Sequence, residues 1–146
     1  KGYDHYEISN FALPGRYARH NGNYWRGEHY LGVGPSAHSF DGVSRQWNIA
    51  NNALYIKALD AQELSFEREV LTPEQRFNEY IMTALRTIWG VEMPKLASMG
   101  NAFSGHFEKA VQPYLAVGTV ERQGEIYRLT RAGKLLADRI AMELFL

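Results

Sequence analysis

The sequence predicts an α+β chain, with a strand-rich first third leading into a mainly helical, winged-helix-like domain. Three observations predict this. Residues 1–50 are rich in Gly, Tyr, Asn and His, with short apolar runs set between turn signals. From Thr72 onward the apolar residues recur at the three-and-four spacing of helices. The order across 72–146 is helix, short helix, helix, hairpin, helix, which is that of a winged-helix domain. Residues 51–71 join the halves as a connecting helix and linker.

Each element has its own signal. Tyr3 to Phe11 mixes aromatic and β-branched residues as a strand does, and Pro14-Gly15 ends it in a turn. Residues 16–29 show no clean period and read as a loop or a short irregular helix. Tyr30 to Val33 reads as a short strand. Ser36–Phe40, Asp41-Gly42 and Ser44–Ile49 read as a hairpin, with Asp-Gly in a type I′ turn. Leu54 or Tyr55, with Ala58 and Leu59, gives 52–62 helical spacing.

The signals sharpen at Thr72-Pro73-Glu74-Gln75. A capping Thr, Pro at the first helical position and Gln at the third form a capping box. Phe77, Tyr80, Ile81, Ala84, Leu85 and Ile88 then share one face, and Gly90 is placed to stop the helix. Met93–Met99 reads as a short helix ended by Gly100. Phe107, Ala110, Val111, Tyr114 and Leu115 form the next apolar face, and Pro113 predicts a kink or break near residue 112. Gln123-Gly124 sits between alternating segments in a hairpin over 119–129. Thr130 caps a last helix carrying Leu136, Ile140 and Leu144 on one face.

Composition narrows the chemistry. The 146 residues carry 16 Lys+Arg, 16 Asp+Glu and no cysteine. That length suits one ordinary domain or two small ones, large enough to fold without a metal or disulfide staple. At 45% apolar and 22% charged, the balance is that of a soluble globular protein. The zero net charge disfavours a general polyanion binder. The missing cysteines exclude a disulfide scaffold, a thiolate zinc site, a thiol nucleophile and a cysteine-ligated iron–sulfur cluster within this chain. No run approaches a membrane span, and no signal-peptide pattern opens the sequence. Lys1-Gly2-Tyr3 enters the first strand without an initiator Met, so the expectation is either a trimmed tag or processed terminus, or a piece of something longer.

A winged helix invites a nucleic-acid reading. The candidate recognition helix, 104–116, offers one Lys, one His and a Glu, but no Arg. The wing sets Arg122 and Arg128 among Glu121 and Glu125. Phosphate contacts need clustered cations, so a structural or protein-contact module fits this half better.

His20-Asn21-Gly22-Asn23-Tyr24-Trp25 sets an imidazole beside two large aromatics. That pairing suits a porphyrin, with imidazole on iron and aromatic faces over the macrocycle. The alternative is a structural, hydrogen-bonded histidine. In Gly32-Val33-Gly34-Pro35-Ser36-Ala37-His38-Ser39 the glycines permit close backbone approach to a ligand. The segment lacks the pattern of a phosphate loop, and the alternative is a tight strand end stiffened by Pro35. His5, His20, His29 and His38 match no zinc spacing, and no catalytic or metal site is expected in this chain.

Four segments together resemble a known family. They are Tyr6-Glu7-Ile8-Ser9-Asn10-Phe11-Ala12, His20-Asn21-x-x-Tyr24-Trp25, Leu31-Gly32-Val33-Gly34-Pro35-Ser36-Ala37-His38-Ser39, and Trp47-Asn48. They resemble the later part of HemW-type radical S-adenosylmethionine proteins, relatives of the oxygen-independent coproporphyrinogen III oxidase. The last half, with Tyr127-Arg128-Leu129-Thr130-x-x-Gly133 before an apolar helix, resembles that family's C-terminal domain.

The resemblance implies that residues 1–50 are the last strands of a partial (βα) barrel, followed by the linker 51–71 and the domain 72–146. It implies a C-terminal fragment, because the family's cluster-binding C-x-x-x-C-x-x-C loop is absent. The parent protein would hold a [4Fe–4S] cluster and S-adenosylmethionine, and this chain is not expected to be active alone. His20, Asn21, Tyr24 and Trp25 correspond to the haem-associated motif of the HemW branch, whose members are regarded as haem chaperones. Gly34, Pro35, Ser36 and Ala37 correspond to a segment near the S-adenosylmethionine pocket of the oxidase branch.

The expected function is haem chaperoning. The alternatives are oxidative decarboxylation of coproporphyrinogen III and a winged-helix binding module. Expected partners are haem or porphyrin, a haem-acceptor protein and the missing N-terminal barrel, in the cytoplasm. Barrel strands without neighbours leave exposed edges, so rearrangement of 1–50, partial disorder or pairing in a homodimer is also expected.

Overall fold

The structure is a computed structural model describing residues 2–146. Its elements run β1 (Asp4–Glu7), β2 (Asn10–Ala12), α1 (Arg19–Arg26), β3 (His38–Phe40), β4 (Ser44–Asn48), α2 (Asn52–Asp60), β5 (Phe66–Val70) and α3 (Pro73–Leu85). There follow β6 (Val91–Glu92), α4 (Met93–Met99), α5 (Asn101–Ala110), α6 (Gln112–Ala116), β7 (Val120–Gln123), β8 (Ile126–Leu129), α7 (Arg131–Lys134) and α8 (Ala137–Glu143). The chain is α+β, as predicted. It divides into two units, one of residues 2–26 with Pro73–Leu146, the other Gly27–Thr72. This grouping differs from the sequence-based segments, because the first strands belong with the helical half.

The core of the first unit follows the helical spacing. Phe77, Ile81, Ala84 and Leu85 of α3 are buried with Leu96, Phe107, Val111, Ile140 and Leu144. A sheet in the order β6-β8-β7 closes it, and the Tyr127 ring meets Phe107 edge-on at 5.1 Å. Pro113 falls in the first turn of α6, so the helix breaks at Val111 where the missing N–H predicts a break.

Several expectations change in this unit. The Tyr3–Phe11 strand is a hairpin, because Glu7 turns back and accepts hydrogen bonds from the Ser9 N–H and the Asn10 amide. Helix α3 stops at Leu85 and does not reach Ile88. Residues beyond it pair with β1 instead, Ile88 N–H donating to the Tyr6 carbonyl at 3.0 Å. Gly90 therefore serves a close approach and does not cap the helix: a Cβ there would lie 2.3 Å from the Tyr127 carbonyl oxygen. The last helix is two pieces. Thr130 caps α7 through the Gly133 N–H, the chain breaks at Leu136, and Leu136 is exposed while Ile140 and Leu144 are buried.

The second unit is a sheet in the order β3-β4-β5 with α2. Asn51 caps α2, its side chain accepting from Leu54 N–H at 3.0 Å. The predicted Tyr30–Val33 strand contributes only a bridge from Tyr30 to Phe40, and Leu31 and Val33 are exposed. The hairpin turn spans Asp41–Ser44 with Gly42 at its first central position (φ 87). That is the type II′ pattern and not I′. Strand β5 carries no sequence-based expectation, yet it pairs with β4 along its whole length.

Candidate functional site

Helix α1 turns the irregular 16–29 segment into a display surface. At 100° per residue, His20 and Tyr24 stand in one row and Asn21 and Trp25 in the next. The burial pattern agrees. His20, Asn21 and Tyr24 are exposed, Trp25 is half-buried, and Gly22 on the opposite side is buried. The Tyr24 and Trp25 rings meet edge-on at 5.1 Å, forming one aromatic corner. The four residues that the sequence groups together are thus together in space, on one helix face.

That helix is anchored from behind. Gly22 faces Trp89 with no side chain between them, and a Cβ there would sit 3.8 Å from the indole. The Arg26 guanidinium lies 4.4 Å from the Trp89 ring centroid, and Lys95 Nζ donates to the Arg26 carbonyl at 3.2 Å. Tyr17 leads into the helix, stacked on Tyr6 at 4.9 Å. Its hydroxyl donates to the Asp4 carboxylate, which holds the phenol above its ordinary pKa. Cation–π contacts of this kind contribute about 0.5–2 kcal/mol each. An eight-residue helix is marginal alone, so these contacts fix it.

The second predicted group, Gly34 to Ala37, lies in the other unit, within a tightly folded loop. Gly34 N–H donates to the Tyr55 hydroxyl at 3.3 Å, Ser36 N–H to Ile49 O at 3.2 Å and Ala37 N–H to Gly34 O at 3.3 Å. Asn48 Nδ2 donates to Gly34 O at 2.9 Å. Pro35 has no N–H, so every amide donor of this stretch is already used within this unit. It does not form an anion cradle. Gly32 is obligatory, since a Cβ there would fall 2.1 Å from the His38 carbonyl oxygen.

Sequence reasoning missed Trp89 and Arg86, which back the helix. Trp89 lay just before a glycine read as a helix stop, and Arg86 lay in what read as helix. The signal that could have found them is the chain reversal at Gly90, which requires the residues before it to leave α3. Among the described residues, no group of three or more His, Asp or Glu is placed to hold a metal ion. Among the described residues, no helix is long and apolar enough to cross a membrane.

The architecture has known counterparts. The model of the HemN C-terminal domain matches residues 71–136. Among solved structures, the chain is similar to the coproporphyrinogen III oxidase HemN from Escherichia coli, a radical SAM enzyme. The TM-score is 0.71 at 21% identity, covering 99% of this chain and 37% of that one. Fold and domain together define the class: a HemN-type fold over nearly the whole chain, with the HemN C-terminal domain in its second half.

Curated relatives narrow the class. The chain is 32% identical over 144 residues to the heme chaperone HemW of Mycobacterium tuberculosis (strain H37Rv), covering 98% of this chain and 35% of the relative. It is 30% identical over 141 residues to heme chaperone HemW of Bacillus subtilis (strain 168), covering 95% and 37%. The chain belongs to the HemW-type family. It spans a little over a third of the length of these relatives.

Proposed function

We propose that this chain is part of a haem chaperone, and that α1 is where the haem docks. The observation that carries this reading is the α1 face: an exposed imidazole one turn from an exposed phenol, beside a half-buried indole held from behind. Haem is the cargo. Neutral His20 would ligate the iron, Tyr24 and Trp25 would cover the macrocycle, and Asn21 would flank the imidazole. The relatives named heme chaperone support the same reading. An acceptor protein would then take the haem, and the cytoplasm is the compartment this role suits.

The family's [4Fe–4S] cluster does not fit this chain, which has no cysteine to ligate it. The cluster and S-adenosylmethionine belong, on this reading, to the barrel outside this chain. Gly34 to Ala37 would line the S-adenosylmethionine pocket as a rigid loop, since their amide donors and the Gly34 and Ala37 carbonyls are already bonded within this unit. Strand β5 is one of the two outer strands of its sheet. The remaining barrel, or a second copy in a homodimer, would pair there.

The test is a haem titration of the full-length protein. His20→Ala is expected to shift the Soret band and weaken binding by roughly tenfold or more, about 1.4 kcal/mol. An unchanged spectrum and affinity would remove His20 from the site. Coproporphyrinogen III oxidation is the competing activity. Decarboxylated product from the cluster-loaded, full-length protein would replace the chaperone reading with that one.

A further inference from the structure

The haem reading leaves the opening hairpin without a task, although Tyr6 to Ala12 is one of the family-like segments. Glu7 ends β1 and is 1% exposed. Its Oε2 accepts from Ser9 N–H at 2.9 Å and from the Asn10 amide. Its Oε1 accepts from Arg86 Nε at 3.1 Å. Arg86 Nη1 donates in turn to Asp138 Oδ1 at 2.8 Å. The backbone repeats the tie, with Ile8 N–H donating to the Arg86 carbonyl at 3.0 Å. Held at both ends, the guanidinium carbon lies over the Trp25 ring, 5.4 Å from its centroid.

From this geometry we infer that Arg86, clamped by Glu7 and Asp138, is the positioning residue for Trp25, the aromatic wall of the haem face. The inference rests on the haem reading, because Trp25 acts as a wall only where haem docks on α1. Arginine suits the task because its plane lies against an indole while its edge donors reach two carboxylates. A guanidinium already fixed by two acceptors orders the ring without being ordered itself on binding. Lysine would supply a charge to Glu7 but no plane to Trp25. The hairpin motif and the helix motif then form one device, with Glu7 setting Arg86 and Arg86 setting Trp25.

The test uses full-length protein labelled with 5-fluorotryptophan, the Trp25 resonance assigned by Trp25→Phe. Arg86→Lys keeps a cation for Glu7, and Asp138→Asn loosens only the outer tie, where the Asp138 side chain is 71% exposed. Both variants are expected to fold and to shift or broaden the Trp25 resonance while leaving Trp47 unmoved. Haem affinity is expected to fall about tenfold in Arg86→Lys, with the Soret maximum unchanged because His20 is untouched. An unmoved Trp25 resonance in both variants overturns the positioning role. A moved resonance with unaltered haem affinity overturns its link to haem. Wild-type protein that takes up no haem defeats the haem reading itself, and the fluorine signal still decides whether Arg86 positions Trp25.

Discussion

The two units of this chain are held by different forces. In the first, residues 2–26 and Pro73–Leu146 enclose a continuous apolar core running through Phe77, Ile81, Leu96, Phe107 and Leu144, each 0% exposed. In the second, Gly27–Thr72, Ser44 and Leu71 are the only buried residues, and α2 buries none. Polar pairs between strands, and between strand and loop, take the place of a core there. Arg45 meets Glu69 at 3.2 Å, Trp47 Nε1 donates to Glu67 at 3.1 Å, and Asn48 Nδ2 donates to Gly34 O at 2.9 Å. Such exposed pairs contribute about 0.2–1 kcal/mol each, against about 1.5–3 kcal/mol for one fully buried large apolar side chain. One sequence thus uses area in one unit and backbone ladders with polar pairing in the other. The aromatic face of α1 belongs to the unit that has a core, and a ligand platform needs that rigidity.

The largest test of this contrast is a pair of truncations. Phe107→Ala removes a ring packed edge-on against Tyr127, and is expected to cost about 3–5 kcal/mol. Leu59→Ala, at a position 47% exposed, is expected to stay within about 0.5 kcal/mol. Native-state hydrogen exchange of the full-length protein reads both, as raised exchange over α5 and β8 in the first case only. Equal costs would erase the distinction between the units.

Gly133→Ala probes the same core by overfilling. A Cβ there would fall 1.9 Å from the Thr119 carbonyl oxygen. That oxygen already accepts from Thr130 N–H at 3.0 Å, so it has little freedom to retreat. The expected cost is about 1–3 kcal/mol, seen as faster exchange in α7 and β7. Wild-type exchange in that variant would mean that α7 moves aside freely.

The same contrast explains what the sequence made legible. Where a core exists, its spacing is written into the residues. The capping box places α3, Pro113 places the break between α5 and α6, and Gln123-Gly124 places the β7–β8 turn. The face of α1 is legible as a residue group from His20 to Trp25, while the helix itself is legible only as one of two readings of 16–29, a loop or a short irregular helix. Gly22 and the two asparagines lower helix propensity, and tertiary contacts to Trp89 and Arg86 override it. Strand β5 was missed because Phe66, Arg68 and Val70 alternate with Glu67 and Glu69 without one buried face. Its partners are Ser44, Arg45, Gln46, Trp47 and Asn48 on β4, and a single strand read alone does not show them. The end of α3 at Leu85 was hidden for the same reason. It is set by pairing with β1, distant in sequence, and Gly90 is its one local mark.

The smallest test lies in the coreless unit, where one side chain closes the β3–β4 turn. The Asp41 carboxylate accepts from Ser44 N–H at 2.6 Å, Ser44 Oγ at 2.8 Å and Val43 N–H at 3.0 Å, with Arg68 Nη2 at 3.2 Å. Chiefly through the Ser44 bonds, its pKa is drawn down to about 2 from the usual 3.8. The sign follows from linkage. A carboxyl whose folded pKa is depressed supports the folded turn fully above its ordinary pKa, and that support fades as pH falls from 3.8 toward 2. The group is exposed, so the effect is local to the turn and screened by salt. Followed by NMR, the Ser44 and Val43 amide shifts are expected to hold from neutral pH to about 4 and then move together as acid is added. Asp41→Asn is expected to abolish that joint transition. Amide shifts in wild type that titrate at an ordinary aspartate pKa would show that the turn does not depend on this carboxylate, and the unit would then rest on its strand ladder alone.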